Sequence, residues 1–566
     1  MNKMKFKLII AVTLLCFEGA SGQFTDINII KEVKVKQKGV VVSAHPLASE
    51  MGAKILKQGG NAFDAVIATQ LALAVVYPQA GNIGGGGFLV ATTKDGKKIA
   101  LDFRETAPAK ASFDMYWDKN GNADTDLSQN GRLAVGVPGS ISGMFASMPY
   151  AKLSFDKLIQ PAIDLAEQGF AITEQEADLL NMYKEEFLKH NKNQTVFVKN
   201  ESWKAGDILI QKELAETLKR IQNNGEKEFY EGQTAQMIVN EMKLGNGIVS
   251  LTDLKNYKTK ERKPLVFDYK GHKVVAMPLP SSGGILLAQM LKMYSYANIK
   301  NPQQNAIEAV QPMIEAERRA YADRAEYMGD PDFINDQTAM LISDAYLKNR
   351  WKSYHPNKAT PSKNVGEIME QQQESTETTH ISILDKEGNA VSVTTTLNGL
   401  YGSRTVVSGA GFFLNNEMDD FSIKPGVPNM YGAVGGEANA IKAGKRMLSS
   451  MAPTILLKNN KVKMVVGTPG GTTIPTSVFQ AIVAVVDFGL NANFAVNAPK
   501  LHHQWLPETV AVEKNFPETT VKSLEKMGYK IERRSQIGRT EMILVDDNNN
   551  IHAVADGRGD DSVGLE

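Results

Sequence analysis

Thr378 opens the segment TTHISIL just where the polar, glutamate-bearing tract ending at Glu377 stops. If residues 390 to 398 are extended, Val391, Val393, Thr395 and Leu397 point one way and Ser392, Thr394, Thr396 and Asn398 the other. On the preceding arm Thr378, His380 and Ser382 share a face. Pairing the two arms brings Thr378 close to Thr396 and Asn398, a cluster of hydroxyl and amide groups around one oxygen. Taken alone, threonine-rich strands express β-propensity. Two acids, Glu417 and Asp420, stand three apart in NNEMDD. Converging on one site they would suit an ammonium group; apart, they would be solvated loop charges.

Other chemistries find little support. The chain has eight histidines and no G-x-S-x-G elbow or H-E-x-x-H helix. A triad or a metal centre would need His380 or the His502-His503 pair. No carboxylate stands at a recognisable metal spacing, so these read as packing or hydrogen-bonding groups. The four glycines Gly84 to Gly87 fit neither the dinucleotide fingerprint nor the P-loop, and they precede a strand instead of following one. They read as a close approach between packed layers.

The elements that must position these groups are legible in outline. Residues 48–76 carry two helical patterns separated at Gly59-Gly60-Asn61, with small residues suited to tight burial. Helical patterns follow at 155–171, 174–189, 214–225 and 306–327, the last stopped by Gly329 and Pro331. FDYKGHKVVAMP reads as a hairpin, and HISILD, KEGN and AVSVTTTLN read as a second antiparallel hairpin. Between them, residues 361–377 are polar and read as exposed and mobile.

Composition narrows the class further. With 63 basic and 63 acidic residues in 566, the chain has no electrostatic footprint for nucleic acid or an anionic membrane surface. Lys3, Lys5 and Lys7, the apolar run Leu8 to Phe17 and the exit Ala20-Ser21-Gly22 read as an export signal over residues 1–22. The run is far short of the roughly 20 residues that span a bilayer. The single cysteine, Cys16, lies inside it and is preceded by leucine, a poor match to a lipoprotein anchor. The mature chain then has no cysteine, which excludes disulfides, thiol nucleophiles and cysteine-held metals. A periplasmic or secreted protein with no membrane anchor in mature form is expected.

NIGGGGF, DFRETAP, PLPSSGG, ADRAEYMGDPDF, TTHISILDKEGNAVSVTTTLN, LNNEMDDFSIKPGVPN, LSSMAPTI, GTPGG and LHHQW together resemble the γ-glutamyltransferase (γ-glutamyltranspeptidase, glutathione hydrolase) family of N-terminal nucleophile hydrolases, in the family's order and over nearly the whole mature chain. The resemblance implies an α+β, four-layer αββα sandwich made as one precursor that cuts itself between Glu377 and Thr378. It implies a large subunit, residues 23–377, and a small catalytic one, residues 378–566, that stay associated. Thr378 would be the nucleophile and Thr396 would orient it, while Gly470 and Gly471 would supply backbone donors to the developing oxyanion. Glu417, Asp420 and Asn398 would bind the substrate ammonium, and Arg104, Ser449 and Ser450 its α-carboxylate. SIKPGVPNMYGAVGGEANA, residues 422–440, resembles a lid loop with Tyr431 at the gate. The implied substrates are small γ-glutamyl compounds such as glutathione, with water, amino acids or dipeptides as acceptors, and no cofactor or metal is required. Two rivals remain open: a cephalosporin or glutaryl acylase of the same fold, and an exported γ-glutamyl peptide binding protein that never matures.

Overall fold

The computed structural model describes residues 24, 25, 27–300, 303–366 and 378–566. The export signal and Glu377 lie outside the described residues.

Two seven-stranded antiparallel sheets lie face to face. The first runs, in spatial order, Ser562–Leu565, Val40–Ser43, Thr379–Leu384, Ala390–Thr396, Gly86–Thr92, Lys98–Phe103 and Lys260–Arg262. The second runs Glu32–Val35, Ile551–Val554, Glu541–Val545, Lys461–Gly467, Thr454–Lys458, His272–Ala276 and Leu265–Tyr269. Helices Pro46–Lys57 and Ala62–Val76 cover the first sheet, and Gly283–Tyr296 and Thr473–Val486 cover the second. The result is the four-layer αββα sandwich. In both sheets, strands from before and after residue 378 are interleaved, so a cut at that point leaves one hydrophobic core shared by two chains.

The helix Ala62–Val76 explains its own composition: all 15 of its residues are buried, so no polar face is needed. Asn61 caps it reciprocally with Asp64, which closes the orphan amides at its start. Pro46 at the first position and the His45 side chain accepting from the Leu47 amide start the neighbouring helix.

The hairpin of strands Thr379–Leu384 and Ala390–Thr396 forms in the register expected, with Thr379 opposite Thr395 and Ser382 opposite Ser392. Both strands are buried along their whole length. Ile381, Ile383, Val391 and Val393 join the core beneath the first helix layer. The polar face points at the second sheet, where it is satisfied: Ser392 Oγ donates to Val466 O at 3.2 Å and accepts from Thr454 N at 3.0 Å. His380 bonds Thr394 Oγ1 at 2.9 Å and Ser382 Oγ at 3.1 Å. A side chain at Gly467 would meet the His380 ring at 2.1 Å, so the bare glycine makes room for the imidazole.

The four glycines act through close approach, as read from the sequence. A Cβ at Gly85 would lie 2.0 Å from Thr396 O, and one at Gly87 would lie 2.3 Å from Thr394 O. Asn82 locks the same point, donating to Thr396 O at 3.0 Å and accepting from Gly85 N at 3.0 Å.

Two expectations need correction. The pattern over 174–189 forms two helices, Glu174–Met182 and Lys184–His190, broken at Tyr183. The tract expected to be exposed from 361 onward is so at Pro361, Lys363 and Asn364 but is anchored by two buried residues, Ser362 and Val365. Ser362 is 1% exposed, donates to Trp505 O at 2.8 Å and accepts from the buried Arg318 guanidinium at 2.6 Å. A buried arginine needs acceptors, and this serine is one. The remainder of that tract, residues 367–377, lies outside the described residues.

Burial lowers the pKa of His380 to about 3, so the imidazole is neutral in the folded protein. A depressed histidine pKa means that the unfolded chain binds the extra proton between pH 6.5 and 3, and stability falls as pH falls through that window. The advantage of wild type over His380→Asn in urea unfolding should therefore shrink by about 2 kcal/mol between pH 7 and pH 5. A gap independent of pH would show that His380 titrates as an exposed histidine does.

Candidate functional site

Just before the strand Thr379–Leu384, Thr378 is 3% exposed and lines a small pocket with about 20 Å³ of open space. Its hydroxyl lies 3.4 Å from Thr396 Oγ1, one pair beyond the Thr379–Thr395 rung of the hairpin. Thr396 Oγ1 in turn accepts from Asn398 N at 2.8 Å. Asn398 has a left-handed φ of 77° that turns the chain out of the strand.

The opposite wall is charged. Glu417 and Asp420 sit on a single turn, Glu417–Asp420, and both reach Arg104, which follows the strand Lys98–Phe103 and is 0% exposed. Arg104 Nη1 donates to Glu417 Oε1, and Nη2 donates to Asp420 Oδ2 at 2.5 Å. Its Nε donates to Met447 O at 3.3 Å. A third acid, Glu105, lies 3.6 Å from Nη1. Burial opposes the charge on Arg104, but the three carboxylates outweigh it and hold the guanidinium above its ordinary pKa. Burial likewise pushes Glu417 well above the usual carboxylate range, against the pull of Arg104 and with Glu105 adding to the rise.

Ser449 and Ser450 line the pocket floor. Ser449 is fixed by the PLPSSGG loop, since its carbonyl accepts from Ser282 N at 2.7 Å and Ser282 Oγ at 2.8 Å. Gly471 lines the same pocket as Thr378, and Gly470, which precedes it in sequence, does not line it. Both have positive φ, 134° at Gly470 and 54° at Gly471, and they lead directly into the helix Thr473–Val486. That places the positive end of a helix dipole at the pocket.

The loop 422–440 closes over this arrangement. It is pinned at both ends by the Ser422–Ala440 bridge, and Asn429 Nδ2 donates to Asp420 Oδ1 at 2.9 Å. Tyr431 is buried, its hydroxyl donates to Asn398 O, and its ring covers Gly471.

Of the residues singled out from sequence, Thr378, Thr396, Asn398, Glu417, Asp420, Arg104, Ser449, Ser450, Tyr431 and Gly471 all line one pocket. His502 and His503 lie elsewhere, buried and hydrogen-bonded; His502 Nδ1 meets Thr476 Oγ1 at 2.9 Å and His503 Nδ1 meets Thr509 O at 3.0 Å. Five pocket residues were not among those singled out: Arg324, Asn429, Met451, Thr472 and Ile474. Arg324 lies in the ADRAEYMGDPDF stretch, in a helix whose residues 309–325 are all buried, and that burial is not visible in the sequence.

Comparison with known proteins agrees with this geometry. The family model described as gamma-glutamyltranspeptidase matches residues 48–565. The glutathione hydrolase proenzyme of Escherichia coli (strain K12) is 44% identical over 539 residues, covering 95% of this chain and 93% of that protein. Among solved structures, the cephalosporin acylase from Bacillus halodurans superposes with a TM-score of 0.82 at 26% identity, covering 97% of this chain and 99% of that one. Helicobacter pylori gamma-glutamyltranspeptidase is 45% identical over 57% of this chain and 93% of that chain, with a TM-score of 0.55. The chain belongs to the gamma-glutamyltranspeptidase family and has the fold of the N-terminal nucleophile hydrolases.

Proposed function

We propose that this protein is a glutathione hydrolase and γ-glutamyltransferase that matures by cutting itself between Glu377 and Thr378. The observation that carries the reading is the Thr378 hydroxyl beside Thr396, facing a pocket whose far wall holds a buried arginine between two acids. A γ-glutamyl head group carries an ammonium and a carboxylate, and this wall offers one partner of each sign.

Before the cut, the Thr378 hydroxyl attacks the carbonyl carbon of Glu377 and the peptide nitrogen leaves, giving an ester that water hydrolyses. The freed α-amine, with an ordinary pKa near about 7.7 to 8.0, then takes the proton of its own hydroxyl. Thr396 orients that hydroxyl. Attack on the γ-amide carbonyl builds negative charge on its oxygen, which the backbone amides at Gly470 and Gly471 stabilise. Collapse expels the amine, cysteinylglycine in the case of glutathione, and leaves a γ-glutamyl ester on Thr378. Water, an amino acid or a dipeptide then accepts the glutamyl group.

In the unliganded pocket Arg104 pairs with both acids, and Glu417 Oε2 is left without a hydrogen-bond partner among the described residues. A zwitterionic head group exchanges into this pairing: its ammonium takes oxygens of Glu417 and Asp420 together with Asn398, and its carboxylate takes the arginine donors thereby released, with the Ser449 and Ser450 hydroxyls. The exchange conserves charge, so the pocket need not stay ionised and empty. Tyr431 and its loop exclude water and limit the site to small γ-glutamyl compounds. An acylase reading has the fold likeness to cephalosporin acylase behind it, but a glutaryl side chain, which has no amino group, gives the buried acids Glu417 and Asp420 no ammonium to bind. Export to the periplasm or medium fits the charged, apolar leader.

Incubation with glutathione should release glutamate and cysteinylglycine, and a γ-glutamyl p-nitroanilide should release its chromogenic amine. Turnover of a glutaryl amide but of neither γ-glutamyl compound would overturn the assignment. A methyl group at Gly471 would lie 2.5 Å from Tyr431 Cδ1 at a φ of 54°, so Gly471→Ala both strains the backbone and shifts the donor. Its kcat should fall by about 100-fold or more; an unchanged kcat would remove Gly471 from the oxyanion site.

A further inference from the structure

The acids and bases of the pocket do not balance around Arg104 alone. Glu105, Glu417 and Asp420 all face that one guanidinium, and four N–H···O contacts already occupy it: two to carboxylates, one to Met447 O and one to Leu448 O at 3.4 Å. With its donors so committed, Arg104 has little left for a substrate carboxylate, and a second cation at the pocket would supply what it lacks. Arg324 is that cation. It projects from the last turn of the helix Ile307–Tyr327 into the pocket, is 7% exposed, and lies in the same wall region as Ser449, Ser450 and Asp420. Its Nε donates to Ser282 Oγ at 3.2 Å, and Ser282 Oγ donates to Ser449 O, so the arginine is braced against the serine pair's own backbone. Burial, reinforced by Arg104 nearby, depresses its pKa although Asp420 pulls the other way; an arriving anion relieves that cost.

We propose that Arg324 donates to the α-carboxylate of the γ-glutamyl substrate, forming with Arg104 a two-guanidinium clamp; this rests on the enzymatic reading above. The clamp lets Arg104 keep part of its pairing with Glu417 and Asp420 while the carboxylate is bound. It also makes the site selective for an amino acid head group over a plain amine.

The test uses mature, cut protein, with processing verified on a denaturing gel before kinetics. Arg324→Gln should raise KM for γ-glutamyl p-nitroanilide by about 10- to 100-fold while kcat stays within about threefold, and Arg324→Lys should recover part of the loss. On 4-aminobutyryl p-nitroanilide, which has hydrogen in place of the α-carboxylate, the same change should alter kcat/KM by less than about twofold. Equal losses on both anilides would assign Arg324 a merely structural role. A loss confined to glutathione would place it on the carboxylate of the leaving group. Either result overturns the proposal. Should the glutamine variant stay uncut, the lysine variant decides: a reduced preference for the γ-glutamyl over the 4-aminobutyryl anilide supports it, and an unchanged preference overturns it. Wild-type turnover of the γ-glutamyl anilide in the same assay separates failure of this inference from failure of the enzymatic reading.

Discussion

Thr378→Ala should yield a single uncut chain with no measurable release of amine from a γ-glutamyl anilide, a loss of at least about 10⁴-fold. On the proposed mechanism alanine removes the oxygen that attacks both the precursor peptide and the substrate, and the neighbouring hydroxyl of Thr396 cannot substitute for it. Thr396 sits within the paired strand, where its α-nitrogen is a peptide amide, so it has a hydroxyl but no base. The change is small and the site is at the end of a strand, so the fold should survive. A normal denaturation profile alongside lost cutting separates chemistry from misfolding. Persistent turnover would refute the nucleophile assignment.

Arg104→Lys should be the second most damaging change despite keeping the charge. The guanidinium spans Glu417 and Asp420 with two different nitrogens and also reaches a carbonyl, all while fully buried. A lysine ammonium is a point charge that can satisfy one carboxylate well and must leave another poorly compensated. Leaving a buried charge unpaired costs about 3–5 kcal/mol, which falls on both stability and binding. We expect a rise in KM of about 100-fold for γ-glutamyl anilide and a lowered melting temperature, with the kcat effect smaller. An unchanged KM would exclude Arg104 from substrate recognition.

The parts of this site legible in the sequence are those set by short-range rules. Strand alternation alone placed Thr378, His380 and Ser382 on one face and Thr394, Thr396 and Ser392 on the facing arm, and the hairpin pairs them in that way. The glycine run before the strand Gly86–Thr92 signalled close backbone approach, and the approach is to the carbonyl of Thr396 itself. The convergence of Arg104, Glu417, Ser449 and Gly471 rested on family resemblance, because these residues come from separate loops and no local pattern states their distance. Arg324 shows the limit of both routes. It sits in a helix that reads as ordinary, and its importance lies in which pocket its buried end reaches, a fact of packing between layers. The tract from residue 361 misled for a related reason: its polar composition suggested solvent, whereas Ser362 is consumed by a buried arginine that is distant in sequence.

Denaturing electrophoresis of purified, active protein followed by amino-terminal sequencing tests the central claim most directly. The account predicts two chains, the smaller beginning Thr-Thr-His at Thr378. Full turnover of a γ-glutamyl substrate by a single polypeptide uncut across residues 377 and 378 would contradict it.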